Sequence, residues 1–372
     1  MKDSILIFSD EIPPSGGGTG VVAKKLMDDL INLGKHITLF SGDEADYSSD
    51  SVKHVRVHRK KIIWIINYFI AFITKIKFKN ISTIILNDQM SAYMAGLFFT
   101  KKQLSKCTVI IHGRDANFFF NRTSKKHSFF FFKKFYKRAI KHCHQLVAVS
   151  KWTEEEYLAK IPDDILPNIT QKITWHFAGV DKQDLEGGEP HSILKGDALT
   201  NKKVLISVGR LVERKGYIEM LRILSAQVKN EPNILWLVIG DGPIRKQIEE
   251  LTIELGLEEN VLLLGNLPRN SLCHIYKRAD LFWLYSKIEP FGLVYLEASC
   301  FNLPTLGPCE GGVKEAIVEN VTGFYMTDDV DLTSVLGKAS ALKASNAPAI
   351  YAETIKTERF AKYLMDIAKK SA

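Results

Sequence analysis

Nothing in this sequence of 372 residues is long and apolar enough to cross a bilayer. The most apolar run, Ile62 to Ile73, covers 12 residues, and a spanning helix needs about 20. Cysteine is sparse: Cys107, Cys143, Cys273, Cys300 and Cys309 are scattered, with no Cys-x-x-Cys spacing. That excludes a disulfide frame and a Cys-based zinc site and reads as reduced thiols in a cytosolic setting. The first residues read as a strand followed by acids rather than a secretory signal. There is no internal repeat and no low-complexity tract. The most informative absence is that of acids: none occurs from Ser51 to Asn87, or from Ala116 to Thr153.

The acids that are missing there leave the charge lopsided. The whole chain carries 50 Lys and Arg against 42 Asp and Glu. Up to Val180 there are 27 basic and 16 acidic residues, net +11; from Asp181 onward there are 23 and 26, net −3. A basic first half suits an anionic partner such as phosphate, nucleic acid or lipid headgroups, although a plain solvated surface has the same composition.

The length suggests two domains, and the pattern agrees. Short apolar runs alternate with helical spacing throughout. Expected strands are Ser4–Phe8, His36–Phe40, His54–His58, Thr83–Leu86, Thr108–Ile111, Leu146–Val149 and Ile173–His176. A second series comprises Val204–Val208, Leu235–Ile239, Val261–Leu264, Leu281–Leu284 and Pro304–Leu306. Alternation of this kind implies α/β architecture: two doubly wound parallel-sheet (Rossmann-like) domains, facing a central cleft. We expect an N-terminal domain over 1–178, joined by a returning helix over 351–372, and a C-terminal domain over 179–350. Ligands of such sheets bind beyond the carboxyl ends of the strands, so the motifs of interest follow strands.

Five do. Gly16-Gly17-Gly18-Thr19-Gly20 precedes a helix starting near Val21, where glycines admit a close ligand and a helix start favours anions. Gly18-x-Gly20-x-x-Ala23, with Asp43 and Glu44 downstream, also fits a dinucleotide fingerprint and hence a nicotinamide-dependent dehydrogenase, but that loop should follow its strand directly. His112-Gly113-Arg114-Asp115 follows Thr108–Ile111; the plain alternative is a capping Asp and a structural His. Gly209-Arg210…Lys215-Gly216 follows Val204–Val208 and offers two cations beside a helix start, suited to a departing diphosphate. Gly240-Asp241-Gly242-Pro243 is ordinary strand-to-helix punctuation taken alone. In Glu289-Pro290-Phe291-Gly292-Leu293-Val294-Tyr295-Leu296-Glu297, Phe291-Gly292 opens a helix whose N–H groups can hold phosphate oxygens. Glu289 and Glu297 could then accept sugar and ribose hydroxyls. Asp329-Val330-Asp331 resembles an acidic metal motif, yet helix capping explains it better, and we expect no metal.

In order and spacing these motifs resemble glycosyltransferase family 4. The likeness is strongest from Val204 to Phe324, including Ala279-Asp280 and Gly311-Gly312…Gly323-Phe324. It is looser in the first half, through the glycine loop, His112-Gly113, Val149-Ser150 and Gly179-Val180-Asp181. The resemblance implies the GT-B fold and a retaining, metal-independent transferase with no cofactor, whose substrate is a nucleotide-diphosphate sugar, UDP-linked by preference. It implies a catalytic set of His112, Arg210, Lys215 and Glu289. Donor contacts would come from Gly17, Gly18, Gly240, Phe291, Gly292, Leu293 and Glu297, with Arg114 and Asp115 on the acceptor side. It also implies that the helix over Tyr351–Lys370 crosses back to the first domain. Two departures are Phe177-Ala178-Gly179-Val180-Asp181, where the family often has Pro-Asn-Gly-Val-Asp, and Asn302 where glycine is common. Sugar-nucleotide epimerases share this fold and are the nearest enzymatic alternative; a non-catalytic membrane- or nucleic-acid-binding module is the other.

The acid-free stretches point to the acceptor. Eight Lys or Arg surround Ile62–Ile73, and nine lie from Ala116 to Thr153, interleaved with Phe118–Phe120 and Phe129–Phe132. Aromatic and cationic residues together suit an anionic membrane surface. We therefore expect docking through 53–80 and 118–142, peripheral placement on the cytoplasmic face, and a polysaccharide, lipopolysaccharide or lipid-linked acceptor. The alternative is that the apolar helix and the phenylalanines are core. No recognised nucleic-acid module is present, and we expect no nucleic-acid partner.

Overall fold

The computed structural model describes residues 4–13, 17–42, 47–58, 64–113, 115–121, 130–327 and 329–369. They form two compact units: Met1–Ala178 with Thr357–Ala372, and Gly179–Lys356.

The first unit is built on seven parallel strands: β1 (Ser4–Phe8), β2 (His36–Gly42), β3 (Val52–Val57), β4 (Ile81–Leu86), β5 (Cys107–Ile111), β6 (Gln145–Ala148) and β7 (Ile173–Trp175), in the order β3-β2-β1-β4-β5-β6-β7. All five residues of β5 are buried, as befits a parallel strand covered on both faces. The covering helices include α1 (Gly18–Asn32), α2 (Trp64–Lys75), α3 (Gln89–Phe98) and α4 (Phe132–His142). Asp88 starts α3 by accepting from Ser91 N at 2.7 Å, while Ser91 Oγ returns the cap to Asp88.

The second unit repeats this plan with six strands: β8 (Lys203–Val208), β9 (Ile234–Ile239), β10 (Val261–Gly265), β11 (Leu281–Trp283), β12 (Thr305–Pro308) and β13 (Gly323–Met326), in the order β10-β9-β8-β11-β12-β13. Of these strands, β13 has no counterpart among the twelve expected from the sequence. Its helices include α5 (Tyr217–Gln227), α6 (Arg245–Glu254), α7 (Leu293–Cys300), α8 (Leu332–Ser345) and α9 (Ala347–Thr354). Asn302, which stands where glycine is common, has φ of 57°. Asparagine tolerates that left-handed conformation better than other non-glycine residues, and its side chain donates to Lys343 O at 2.6 Å.

The helix that returns to the first unit is α10 (Thr357–Lys369). Tyr363 stacks on His176 and donates to Thr174 Oγ1 at 2.8 Å. The return begins at Thr357 rather than at 351. Tyr351 donates to Glu315 O at 2.9 Å and holds the preceding stretch to the second unit.

Strand order fixes where ligands can bind. In each sheet the connections reverse direction once, between β1 and β4 and between β8 and β11. The loops that leave the carboxyl ends of two such strands diverge and leave a crevice.

Candidate functional site

In the second unit the loops leaving β8 and β11 are tied together through Glu289. After β8 the chain runs through Gly209 and Arg210 into a short 3-10 turn, Glu213–Lys215. Lys215 Nζ lies 2.6 Å from Glu289 Oε2, on the loop after β11, and both side chains are nearly buried, at 8% and 14% exposure. Ser286 Oγ donates to the same oxygen at 2.7 Å, and Arg214 stands 3.7 Å from it. Burial alone would raise the Glu289 carboxyl; Lys215, Ser286 and Arg214 outweigh it and hold the group below its ordinary value. Glu289 is therefore an anion in a mostly cationic setting. Arg210 is exposed and forms no ion pair among the described residues.

Glycines let these loops meet. A Cβ on Gly240 (φ +132°) would lie 2.0 Å from Gly209 O, and one on Gly312 would lie 2.1 Å from Pro290 O. Gly312 N donates to Glu289 O at 2.8 Å, seating the glutamate's backbone. Ile288, next to Glu289, has φ of 56° with an exposed side chain, a costly conformation for a β-branched residue and one that clusters at functional sites. Gly292 (φ +84°) then turns the chain into α7 at Leu293, while Phe291 is buried.

Glu297 lies on α7, 2% exposed, and both of its oxygens are engaged. Arg269 Nη2 is 2.6 Å from Oε1, and Tyr276 donates to Oε2 at 3.4 Å. Sequence reasoning missed Arg269, because nothing local marks a residue 28 positions upstream as the partner of a buried carboxylate.

The reversal point of the first unit is acidic. Asp88, after β4, accepts from Ser9 Oγ at 3.1 Å and from the backbone N–H of Asp10, both of which follow β1. Burial and the charge of Asp10 raise the Asp88 carboxyl to about 7, against the N–H groups that stabilise its anion. Tyr68, on α2, donates to Asp10 Oδ1 at 2.6 Å. His112 follows β5; burial lowers it to about 4, and among the described residues its Nε2 has no hydrogen-bond partner. An imidazole that stays neutral with a free ring nitrogen is suited to a polar ligand. Asp115 accepts from His112 N at 3.0 Å and Gly113 N at 3.1 Å, and burial raises it to about 6. Gly17 and Gly18 open α1. Among the described residues, a Cβ on Gly17 would meet nothing within 4 Å. Arg114, Gly16, Asp43 and Glu44 lie outside the described residues.

Asp331 accepts from Thr333 N at 2.9 Å and Ser334 N at 3.2 Å, capping α8. Among the described residues no group of three His, Cys, Asp or Glu is placed to hold a metal ion, and no helix is long and apolar enough to cross a membrane.

The aromatic-basic segments separate. Residues 122–129 and 59–63 lie outside the described residues. In the remainder of 118–142, Phe119, Phe132 and Tyr136 are core, with Phe119 stacked on Tyr136 at 4.0 Å, and Phe118, Phe120 and Phe130 pack against that core. Lys137 pairs with Asp164, and Arg138 donates to Phe99 O at 2.7 Å. Among the described phenylalanines of the tract, Phe131 is 60% exposed and the others are packing, because α4 lies against α3. Helix α2 is different: Ile66, Phe69, Ile70 and Ile73 are exposed.

Two Rossmann-like parallel-sheet units, each with one reversal point in its strand order, match the GT-B architecture of glycosyltransferases. A model described as glycosyl transferases group 1 matches residues 193–345, and one described as Glycosyltransferase Family 4 matches residues 16–168. With both units matched, the chain belongs to the family 4 type of glycosyltransferase. An uncharacterized glycosyltransferase of Methanocaldococcus jannaschii is 29% identical over 186 residues, 49% of this chain and 46% of that protein. A GDP-mannose-dependent alpha-(1-6)-phosphatidylinositol monomannoside mannosyltransferase of Mycolicibacterium smegmatis is 28% identical over 148 residues, 37% of this chain and 39% of that protein. The matches thus span less than half the length of these curated relatives. Among solved structures, Anabaena HepE in complex with UDP and glucose aligns over 99% of this chain and 100% of its own, with a TM-score of 0.74 at 16% identity.

Proposed function

We propose that the protein transfers a hexose-type sugar from a nucleotide-diphosphate donor, UDP-linked by preference, to a glycan or lipid-linked acceptor with retention of configuration and without a metal ion. The observation that carries this reading is the Lys215–Glu289 pair at the reversal point of the second sheet. It supplies cationic and hydrogen-bonding groups together, where open sheets bind ligands.

In this reading the bond from the anomeric carbon to the diphosphate oxygen breaks, and a bond from that carbon to an acceptor hydroxyl oxygen forms. The acceptor proton passes to the departing phosphate. Arg210 and Lys215, with the first-turn N–H groups of the helix that starts at Leu293, stabilise the negative charge growing on the diphosphate. Arg214 adds a third cation. Glu289 holds sugar hydroxyls, and Glu297, steadied by Arg269, accepts from the ribose. The open space at Gly17 leaves room for donor or acceptor at the start of α1. His112, held neutral by burial, accepts a hydrogen bond from a sugar hydroxyl near the reaction centre. HepE, solved with UDP and glucose, supports the donor class, and the phosphatidylinositol monomannoside mannosyltransferase relative supports a lipid-linked acceptor.

A thermal-shift panel of UDP-, GDP- and ADP-sugars tests the donor: a ligand at 100 times its Kd adds about 2.7 kcal/mol of stability. Arg210→Ala should abolish transfer while the protein still melts normally, and near-normal turnover would refute the assignment. Stabilisation by nicotinamide dinucleotides alone would indicate a dehydrogenase, and turnover of the nucleotide sugar without acceptor an epimerase.

A further inference from the structure

Helix α2 has two apolar faces. Its inner face, Tyr68, Ala71 and Phe72, is in the core. Its outer face carries Ile66, Phe69, Ile70 and Ile73, exposed by 55%, 43%, 50% and 61%. The spacing i, i+3, i+4, i+7 makes these four one stripe. An exposed stripe of this kind marks an interaction site rather than ordinary surface. At its C-terminal end the stripe runs into a cavity of about 550 Å³ lined by Lys53, His54, Val55, Arg56, Thr74, Lys75 and Lys77. Lys53, Arg56, Lys75 and Lys77 form no ion pair with a carboxylate among the described residues, and no acid occurs in the sequence from Ser51 to Asn87.

We propose that the outer face of α2 and the adjoining basic cavity form one docking surface for an anionic lipid bilayer, with Ile66, Phe69, Ile70 and Ile73 entering the headgroup–acyl boundary and Lys53, Arg56, Lys75 and Lys77 holding headgroup phosphates. Charge complementarity selects this occupant. A protein partner would need acids to match four cations and an apolar ridge, whereas an anionic bilayer offers both layers at the required depths. The inference deepens the membrane reading above and rests on it: it assigns docking to α2 and the β3 edge, not to the phenylalanine tract. It also connects docking to the acidic reversal point. Tyr68 holds Asp10 from the inner face of the same helix, so a helix diameter of about 10 Å separates the lipid-facing stripe from that crevice.

The test is flotation of the full chain with vesicles of phosphatidylcholine, with and without phosphatidylglycerol. The wild type should float with the anionic vesicles and be released by salt. Lys75→Gln/Lys77→Gln should lower partitioning roughly 25-fold, at about fivefold per cation. Ile70→Ser/Ile73→Ser, both exposed, should lower it roughly tenfold with an unchanged melting temperature. Phe131→Ser, in the other segment, should change little, and every variant should keep the nucleotide-sugar thermal shift. If the wild type fails to float, the membrane reading itself falls. If it floats and the α2 variants float equally, the assignment to α2 is overturned while the membrane reading stands. If the lysine variants lose binding to duplex DNA as well as to vesicles and the isoleucine variants lose neither, the surface is a polyanion site and the proposal fails.

Discussion

Replacing Lys215 by methionine removes the cation from Glu289 and leaves its carboxylate nearly buried, with Ser286 at 2.7 Å and Arg214 at 3.7 Å. Breaking a buried pair by removing one partner costs about 3–5 kcal/mol; the two remaining partners put this case near the lower end. For a unit the size of Gly179–Lys356, about 3 kcal/mol corresponds to a fall in Tm of roughly 6–12 °C. The double variant Lys215→Met/Glu289→Gln leaves no buried unpaired charge, Arg214 being partly exposed, and should recover most of that loss, giving a coupling of about 2 kcal/mol in a double-mutant cycle. Nucleotide-sugar binding should be lost in both variants, which separates stability from donor affinity. The pH dependence adds a check of sign. Glu289 is held below its ordinary value of 4.5, so the pair stabilises the fold above that value and loses its effect as pH falls through the lower folded-state pKa. In Lys215→Met, burial is left to raise the carboxyl, and acidification should stabilise the variant relative to the wild type. Urea denaturation across the acidic range reads this directly. Parallel pH curves for wild type and variant, or an additive cycle, would refute the reasoning.

Other perturbations have equally definite outcomes. Asp88 is raised to about 7, mainly by burial, so its contribution to stability is present at acidic pH and lost as pH rises through 7. Asp88→Asn keeps the α3 cap and should flatten that loss, measured as a smaller fall in Tm between mildly acidic and mildly alkaline buffer; an unchanged slope would contradict it. Arg269→Met strands the buried Glu297 carboxylate and should cost about 3 kcal/mol with weaker nucleotide-sugar binding, whereas Tyr276→Phe, losing a 3.4 Å contact, should cost about 1 kcal/mol. A wild-type Tm for Arg269→Met would show that the pair holds nothing. Gly240→Ala drives a methyl against Gly209 O and should displace the Arg210 loop, so that donor affinity falls more than tenfold by calorimetry; normal affinity would show that the loop tolerates the shift.

Some of the protein could be read directly from residue order. Strands such as β1, β5 and β9 are almost wholly apolar runs between turn residues, because a parallel strand buried on both faces has no polar side to show. Alternation with helical spacing then implies two doubly wound units, and glycines, cations and carboxylates placed just after strands mark the crevice ends. The strand β13 escaped because it has four residues and only its first two are buried. The direction of side chains escaped for a different reason. Phe119 and Ile70 both lie in aromatic, basic stretches, yet one stacks in the core and the other is half exposed. Composition is the same on either face of a helix; only the neighbouring elements decide which face is covered. Pairings across elements were likewise invisible. Lys215 meets Glu289, 74 positions away, and Arg269 meets Glu297, because sheet order brings distant loops together and no local pattern encodes that order. The sequence alone therefore determined which chemical groups are present and which ends of the strands carry them. The tertiary structure decided which charges neutralise one another and which apolar face stays exposed among the described residues, since each depends on contacts between segments far apart in the chain.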